Sequence, residues 1–165
     1  MALLLKTKDY LTLANAACGF MAIVVMQLYG FIPAVFLVFL AAFFDFIDGK
    51  VARLKKEHDD FGKQLDSLAD GVSFCAAPAL IVAMAVDSPV VLVGCLFFLM
   101  AGLIRLAKYN VQSEKTHYVG LPSPIAAMAL LILALPFSWF NEWLVAILAL
   151  SLGLLMLSQA LFKKP

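Results

Sequence analysis

Residues 45–70 read DFIDGKVARLKKEHDDFGKQLDSLAD. An apolar run, Ile32 to Phe44, leads into this stretch, and another, Gly71 to Val86, leads out of it. Asp45 and Asp48 therefore stand on one hydrophobic segment, and Asp66 and Asp70 on the next. Spacings of i,i+3 and i,i+4 put each pair on one face of its helix. The polar connection is short, so the helices are antiparallel neighbours. Both pairs can then converge at one end of a helical bundle.

The rest of the chain fits that placement. Of its 165 residues, 64% are hydrophobic and only 14% are charged. Soluble domains carry about 25% charged residues, and a chain this short has too little interior to hide so much apolar surface. The solvent for most of that surface is lipid. A formal net charge of +1 gives no reason to expect a nucleic-acid partner. Met1–Leu5 is too short for a signal-peptide core, and Lys6, Lys8 and Asp9 interrupt it. Cys18, Cys75 and Cys95 are scattered through apolar runs, which predicts buried thiols rather than disulfides or a metal site.

A helix needs about 20 apolar residues to cross a bilayer core. Six segments qualify: Leu11–Leu28, Ile32–Ala52, Leu65–Val86, Val90–Ala107, Ile125–Phe137 with its flanks, and Trp143–Phe162. The apolar runs are continuous rather than alternating, as in helices and unlike a β-barrel. The expectation is an all-α, polytopic membrane protein with six transmembrane helices, residues 1–165 forming a single catalytic domain. Met1–Tyr10 is read as a short interfacial segment. All 12 Lys and Arg residues fall on or near the side that carries the N-terminus, and the loops near Gly30, Ser88 and Asn141 carry none. By the positive-inside rule both termini and the acidic cluster face the cytoplasm. Trp139 and Trp143 flank a loop on the far side, as interfacial aromatics do.

Ionisable groups within membrane segments cost about 2.5–3.5 kcal/mol each on insertion scales, so four together point to function. At low dielectric they would repel strongly without a cation among them. Oxygen donors without histidine or thiolate favour Mg²⁺, Mn²⁺ or Ca²⁺. The plainer alternative pairs the acids with Lys50, Arg53 or Lys63. Gly49, Gly62 and Ala52 keep side chains short beside the acids, which lets a ligand approach the backbone. Arg53 offers a fork for phosphate or carboxylate. On the first span, Thr12, Asn15 and Gly19 form a polar and small face that suits nucleotide or phosphate contact, with helix packing as the other reading.

The pattern Asp45-x2-Asp48-Gly49-x2-Ala52-Arg53-x8-Gly62-x3-Asp66-x3-Asp70 resembles the signature of the CDP-alcohol phosphotransferase family at all eight positions. The resemblance extends over nearly the whole chain. It implies an enzyme in which an acceptor alcohol displaces CMP from a CDP-linked donor. It implies that Asp45, Asp48 and Asp66 hold divalent cations, two Mg²⁺ or Mn²⁺ ions, and that Asp70 touches a metal and acts as general base. Asn15, Gly49, Ala52, Arg53 and Gly62 would contact the cytidine and its diphosphate. A homodimer is also implied.

Arg105-Leu-Ala-Lys108-Tyr109-Asn110-Val111, followed by Gly120-Leu-Pro-Ser-Pro124, resembles the phosphatidylserine synthase branch of that family. Asn15 and Gly19 within NAACGF do so as well. Lys108 stands where arginine is commoner. The implied donor is CDP-diacylglycerol or CDP-archaeol, and the implied acceptor is L-serine. Arg105, Lys108, Tyr109 and Asn110, with the loop from Val111 to Tyr118, would bind it. On residue chemistry alone, Arg105 and Lys108 could equally be topological anchors. An acceptor bearing a phosphate, inositol phosphate or glycerol phosphate, would want several basic residues, and Arg105, Lys108 and Lys115 could meet it. A divalent-cation transporter would place its acids near the midplane and show repeats; neither is seen here.

Overall fold

The computed structural model describes residues 7–55, 60–111, 120–138 and 141–158, the side chains of residues 7–8, 51–55, 135 and 137–138 excepted. Its regular elements are helical throughout. Helix α1 (Thr7–Tyr29) turns at Gly30 into α2 (Phe31–Lys55). Gly30 has φ 89°, a left-handed conformation that costs glycine little. Next come α3 (Asp60–Asp70), a π-helical segment (Gly71–Ala76) and α4 (Ala77–Val86), which run on as one rod from Asp60 to Val86. A turn at Asp87 reverses the chain into α5 (Pro89–Val111), followed by α6 (Ser123–Ser138) and α7 (Glu142–Leu157). Asn141 caps α7, its side chain accepting from the Trp143 N–H at 2.9 Å.

Four helical rods are long and apolar enough to cross a membrane: Asp9–Tyr29, Phe31–Lys50, Asp60–Val86 and Pro89–Val111. They coincide with the first four expected spans. The third starts five residues earlier than its apolar run, because Asp60–Gln64 continue the helix beyond the hydrophobic part. The last two apolar segments form the shorter helices α6 and α7, 16 residues each. At 1.5 Å per residue that is about 24 Å, less than a bilayer core of about 30 Å. The expected interfacial segment lies, before Thr7, outside the described residues, as does Trp139.

The helices pack where side chains are small. Helix α1 lies along α2, with Ala22, Ala34, Val38 and Ala41 fully buried, and α5 lies along α7. Small residues let helix backbones approach when lipid supplies no hydrophobic drive. Cys75 and Cys95 are buried, Cys18 partly so, and all three are free thiols, as their apolar contexts predicted.

The π-helical segment sits at the centre, against α1, α2, α5 and α6. The Ala77 N–H reaches back five residues to the Val72 carbonyl. Pro78 follows, with no N–H to donate and a ring that crowds the preceding turn. A wider turn just before it relieves that crowding, and such segments recur at functional sites. Here it begins on the residue after Asp70.

Helix α1 approaches this segment closely at Gly19. A Cβ placed on Gly19 would come within 2.6 Å of the Ser73 Cα. Gly19→Ala is therefore expected to destabilise the protein by about 1–3 kcal/mol through overpacking, read as a melting temperature several degrees lower in detergent. An unchanged transition would mean that α1 and Ser73 are not in this contact.

Candidate active site

Asp45 and Asp48 lie near the C-terminal end of α2, and Asp66 and Asp70 lie on α3. The antiparallel arrangement brings them together. One carboxylate oxygen from each of Asp45, Asp48 and Asp66 lies within 4.8 Å of the others. Two oxygens bound to one ion at 2.0–2.6 Å can be at most about 4–5 Å apart, so the three carboxylates fit a shared hard cation. Asp70 lies outside this tightest trio but within the electrostatic field of Asp45, Asp66 and Asp48. Asp48 is buried, at 6% exposure, and the other three are half-buried. The donor set is all oxygen.

Two of the cations offered as simple partners are engaged elsewhere. Lys50 Nζ lies 4.2 Å from the centre of the Phe46 ring. Lys63 Nζ donates to the Asn110 carbonyl at 3.1 Å and lies 5.5 Å from the centre of the Tyr109 ring. Beside Asp48, a Cβ on Gly49 would meet nothing within 4 Å. That open space suits an incoming ligand. Gly62 is buried on α3. Ala52 and Arg53 lie on α2, with side chains outside the described set.

Helix α1 holds the carboxylates from behind. The Thr12 hydroxyl donates to Asp48 Oδ2 at 2.9 Å, and Asn15 Nδ2 donates to Asp70 Oδ1 at 3.2 Å. One residue on α1 thus serves each pair. Asn15, expected at the nucleotide, has no exposed surface, and its amide is turned to Asp70. Its backbone carbonyl accepts from Ser73 Oγ at 2.9 Å, which ties α1 to the π-helical segment. Asn15 Oδ1 is buried with no hydrogen-bond partner among the described residues, an acceptor left beside Asp70 for a bound group.

The second cluster is held against the first. Asn110, at the end of α5, accepts from Ser67 Oγ at 2.9 Å and donates to Gln64 Oε1 at 3.5 Å. With Lys63 on its carbonyl, three residues of α3 grip this one asparagine. Asn110, expected to bind acceptor, has its side chain joining α5 to the helix that carries Asp66. Arg105 Nη1 donates to Ser123 Oγ at 2.9 Å. Lys108 and Tyr109 are exposed at the end of α5. Of the acceptor loop, residues 112–118 lie outside the described residues, as do His58, Asp59 and His117.

Ser67, Ser73 and Ser123 were absent from the expected site, and Thr12 entered it only as part of the α1 face. Thr12 had a signal, being three residues before Asn15 on one helix face, and Ser123 had one in the Gly120–Pro124 motif. Ser67 and Ser73 had none, because neighbouring hydroxyls are common in any helix.

The chain matches CDP-alcohol phosphatidyltransferase over residues 7–157. It is 33% identical over 162 residues to CDP-diacylglycerol–serine O-phosphatidyltransferase of Methanocaldococcus jannaschii, covering 98% of this chain and 75% of that one. It is 35% identical over 156 residues to the Bacillus subtilis protein of the same name, covering 92% of this chain and 86% of that one. To archaetidylserine synthase of Methanothermobacter thermautotrophicus it is 35% identical over 157 residues, covering 92% and 66%. The match takes in all four converging aspartates, both helices that carry them and the α1 face behind them, and the chain belongs to the CDP-alcohol phosphatidyltransferase family.

Proposed function

We propose that this protein transfers a phosphatidyl or archaetidyl group from a CDP-linked lipid to L-serine and releases CMP. The observation that carries the reading is the convergence of Asp45, Asp48 and Asp66 within 4.8 Å, with Asp70 beside them, in a chain similar to serine phosphatidyltransferases. Asp45, Asp48 and Asp66 would hold two Mg²⁺ or Mn²⁺ ions, with Asp70 beside these carboxylates. Such ions neutralise a pyrophosphate and stabilise both attacking and leaving oxygens. The serine hydroxyl attacks the lipid-bearing phosphorus, its proton passes to an Asp70 oxygen, and the bond from that phosphorus to the CMP oxygen breaks. Asn15 holds one Asp70 oxygen in place, which leaves the other for the proton. The space at Gly49, with Ala52, Arg53 and Gly62, receives the cytidine diphosphate. Arg105 receives the serine carboxylate, with Lys108 and Tyr109 at the rim.

The reading includes six membrane passages, α6 and α7 completing the bundle, with both termini and the site on the cytoplasmic face. The distribution of basic residues supports that orientation. The active unit is a homodimer.

The test is CMP release by purified protein in detergent, with CDP-diacylglycerol or CDP-archaeol, Mn²⁺ or Mg²⁺, and a panel of acceptors. Release is expected to require the cation and to be fastest with L-serine. Faster release with inositol phosphate or glycerol phosphate would reject serine as the acceptor and leave the family unchanged. Cation uptake into vesicles without CMP release would instead favour transport.

A further inference from the structure

The Gly120–Pro124 motif is built as a latch against α7. Gly120 has φ 89°, and a Cβ there would strike the Met156 carbonyl oxygen. The next N–H, that of Leu121, donates to the Leu155 carbonyl at 3.1 Å. Two adjacent residues thus dock on the last turn of α7, where orphan carbonyls need donors. The chain then enters α6, and the Ala126 N–H closes the first turn on the Pro122 carbonyl at 3.0 Å. These contacts fix the position of Ser123.

Ser123 has no exposed surface, so neither solvent nor substrate reaches it. Its hydroxyl accepts from Arg105 Nη1 at 2.9 Å and is hydrogen-bonded to Cys75 in the π-helical segment. Cys75 lies in the electrostatic field of both Asp70 and Arg105. The guanidinium is thus held from α6 on the same side of the bundle as the carboxylates. A guanidinium held at one nitrogen keeps its plane in a set orientation, as binding a carboxylate requires.

We infer that Ser123 is a positioning residue for acceptor specificity: docked by Gly120 and Leu121 on α7, it holds the Arg105 guanidinium where the acceptor's carboxylate binds. The inference rests on the reading of Arg105 as an acceptor-binding group. Ser123 never touches substrate; it acts through Arg105.

The experiment compares Ser123→Ala, Ser123→Thr, Arg105→Ala and the Ser123→Ala/Arg105→Ala double variant in full-length protein, with saturating Mn²⁺. CMP release is measured while serine and CDP-lipid are varied in turn, and thermal unfolding is followed in parallel. Hydrogen bonds to charged groups are strong enough that Ser123→Ala should raise the KM for serine roughly tenfold or more, with the KM for CDP-lipid unchanged. Arg105→Ala should do the same, and the double variant should add nothing, because the two act as one unit. Ser123→Thr keeps the hydroxyl and should keep the serine KM, while its extra methyl in a full site lowers the melting temperature. If Arg105→Ala raises the serine KM and Ser123→Ala does not, the latch is overturned and the acceptor site stands. If neither variant moves the serine KM, the acceptor reading fails and the latch with it. If Ser123→Ala lowers stability and shifts both KM values alike, Ser123 is only a packing residue and the inference is overturned.

Discussion

Asp70→Asn is expected to bind CDP-lipid normally and to turn over about 10²–10⁴-fold more slowly, the usual cost of losing a general base. Asparagine keeps the size of the side chain and one carbonyl oxygen. That oxygen can still accept the Asn15 amide, which now lies 3.2 Å from Asp70 Oδ1. In the proposed reaction, what is lost is the oxygen that takes the serine proton. The comparison is made at saturating Mn²⁺, since Asp70 lies beside the Asp45, Asp48 and Asp66 trio and within its electrostatic field. Affinity for the nucleotide lipid is measured separately by equilibrium binding. A kcat close to that of the parent would remove Asp70 from proton transfer.

Asp66→Asn should fail in a different way. Asp66 is the one member of the trio that α3 contributes, facing Asp45 and Asp48 from α2. In the proposed metal site, replacing it takes away a charged ligand and the one carboxylate of the trio that α3 supplies. Loss of a mere outer-shell partner costs roughly 10–100-fold in metal affinity, so loss of a ligand should cost at least that much. The readout is Mn²⁺ binding, by calorimetry or by the paramagnetic signal of the free ion, in addition to the Mn²⁺ concentration that half-restores CMP release. Thr12→Val serves as a milder comparison. It removes the 2.9 Å hydrogen bond to Asp48 Oδ2 without touching a carboxylate. Unaltered Mn²⁺ binding by Asp66→Asn would mean that the trio does not hold the ion, however well its spacing fits.

Much of this site is legible in one dimension, because a helix has a known period. The i,i+3 and i,i+4 spacings put each aspartate pair on one face, and the short polar link makes the helices neighbours. The four long apolar rods follow from run length alone. Hydrogen bonding across the bundle is not legible in that way. Thr12 meets Asp48 across 36 positions and Asn15 meets Asp70 across 55. Periodicity shows that Thr12 and Asn15 share a face of α1, but not that this face looks at carboxylates rather than at nucleotide. Asn110 shows the converse. Its neighbours Arg105, Lys108 and Tyr109 suggest acceptor chemistry, yet its side chain is taken up by Ser67 and Gln64.

The sequence by itself determined that this chain lives in a membrane, is helical, and sets four aspartates on two adjoining helices. Hydrophobicity, run length and helical period are local properties, and they survive whatever the bundle does. Only the tertiary structure decided which three carboxylates lie within 4.8 Å, that α1 donates to one member of each pair, and that Arg105 is held by Ser123. Those contacts depend on how far each helix is turned about its axis and how closely it approaches its neighbour. Both depend on features with little one-dimensional signature: a glycine at position 19 that admits Ser73, a π-helical turn before Pro78, and a left-handed Gly120 against Met156.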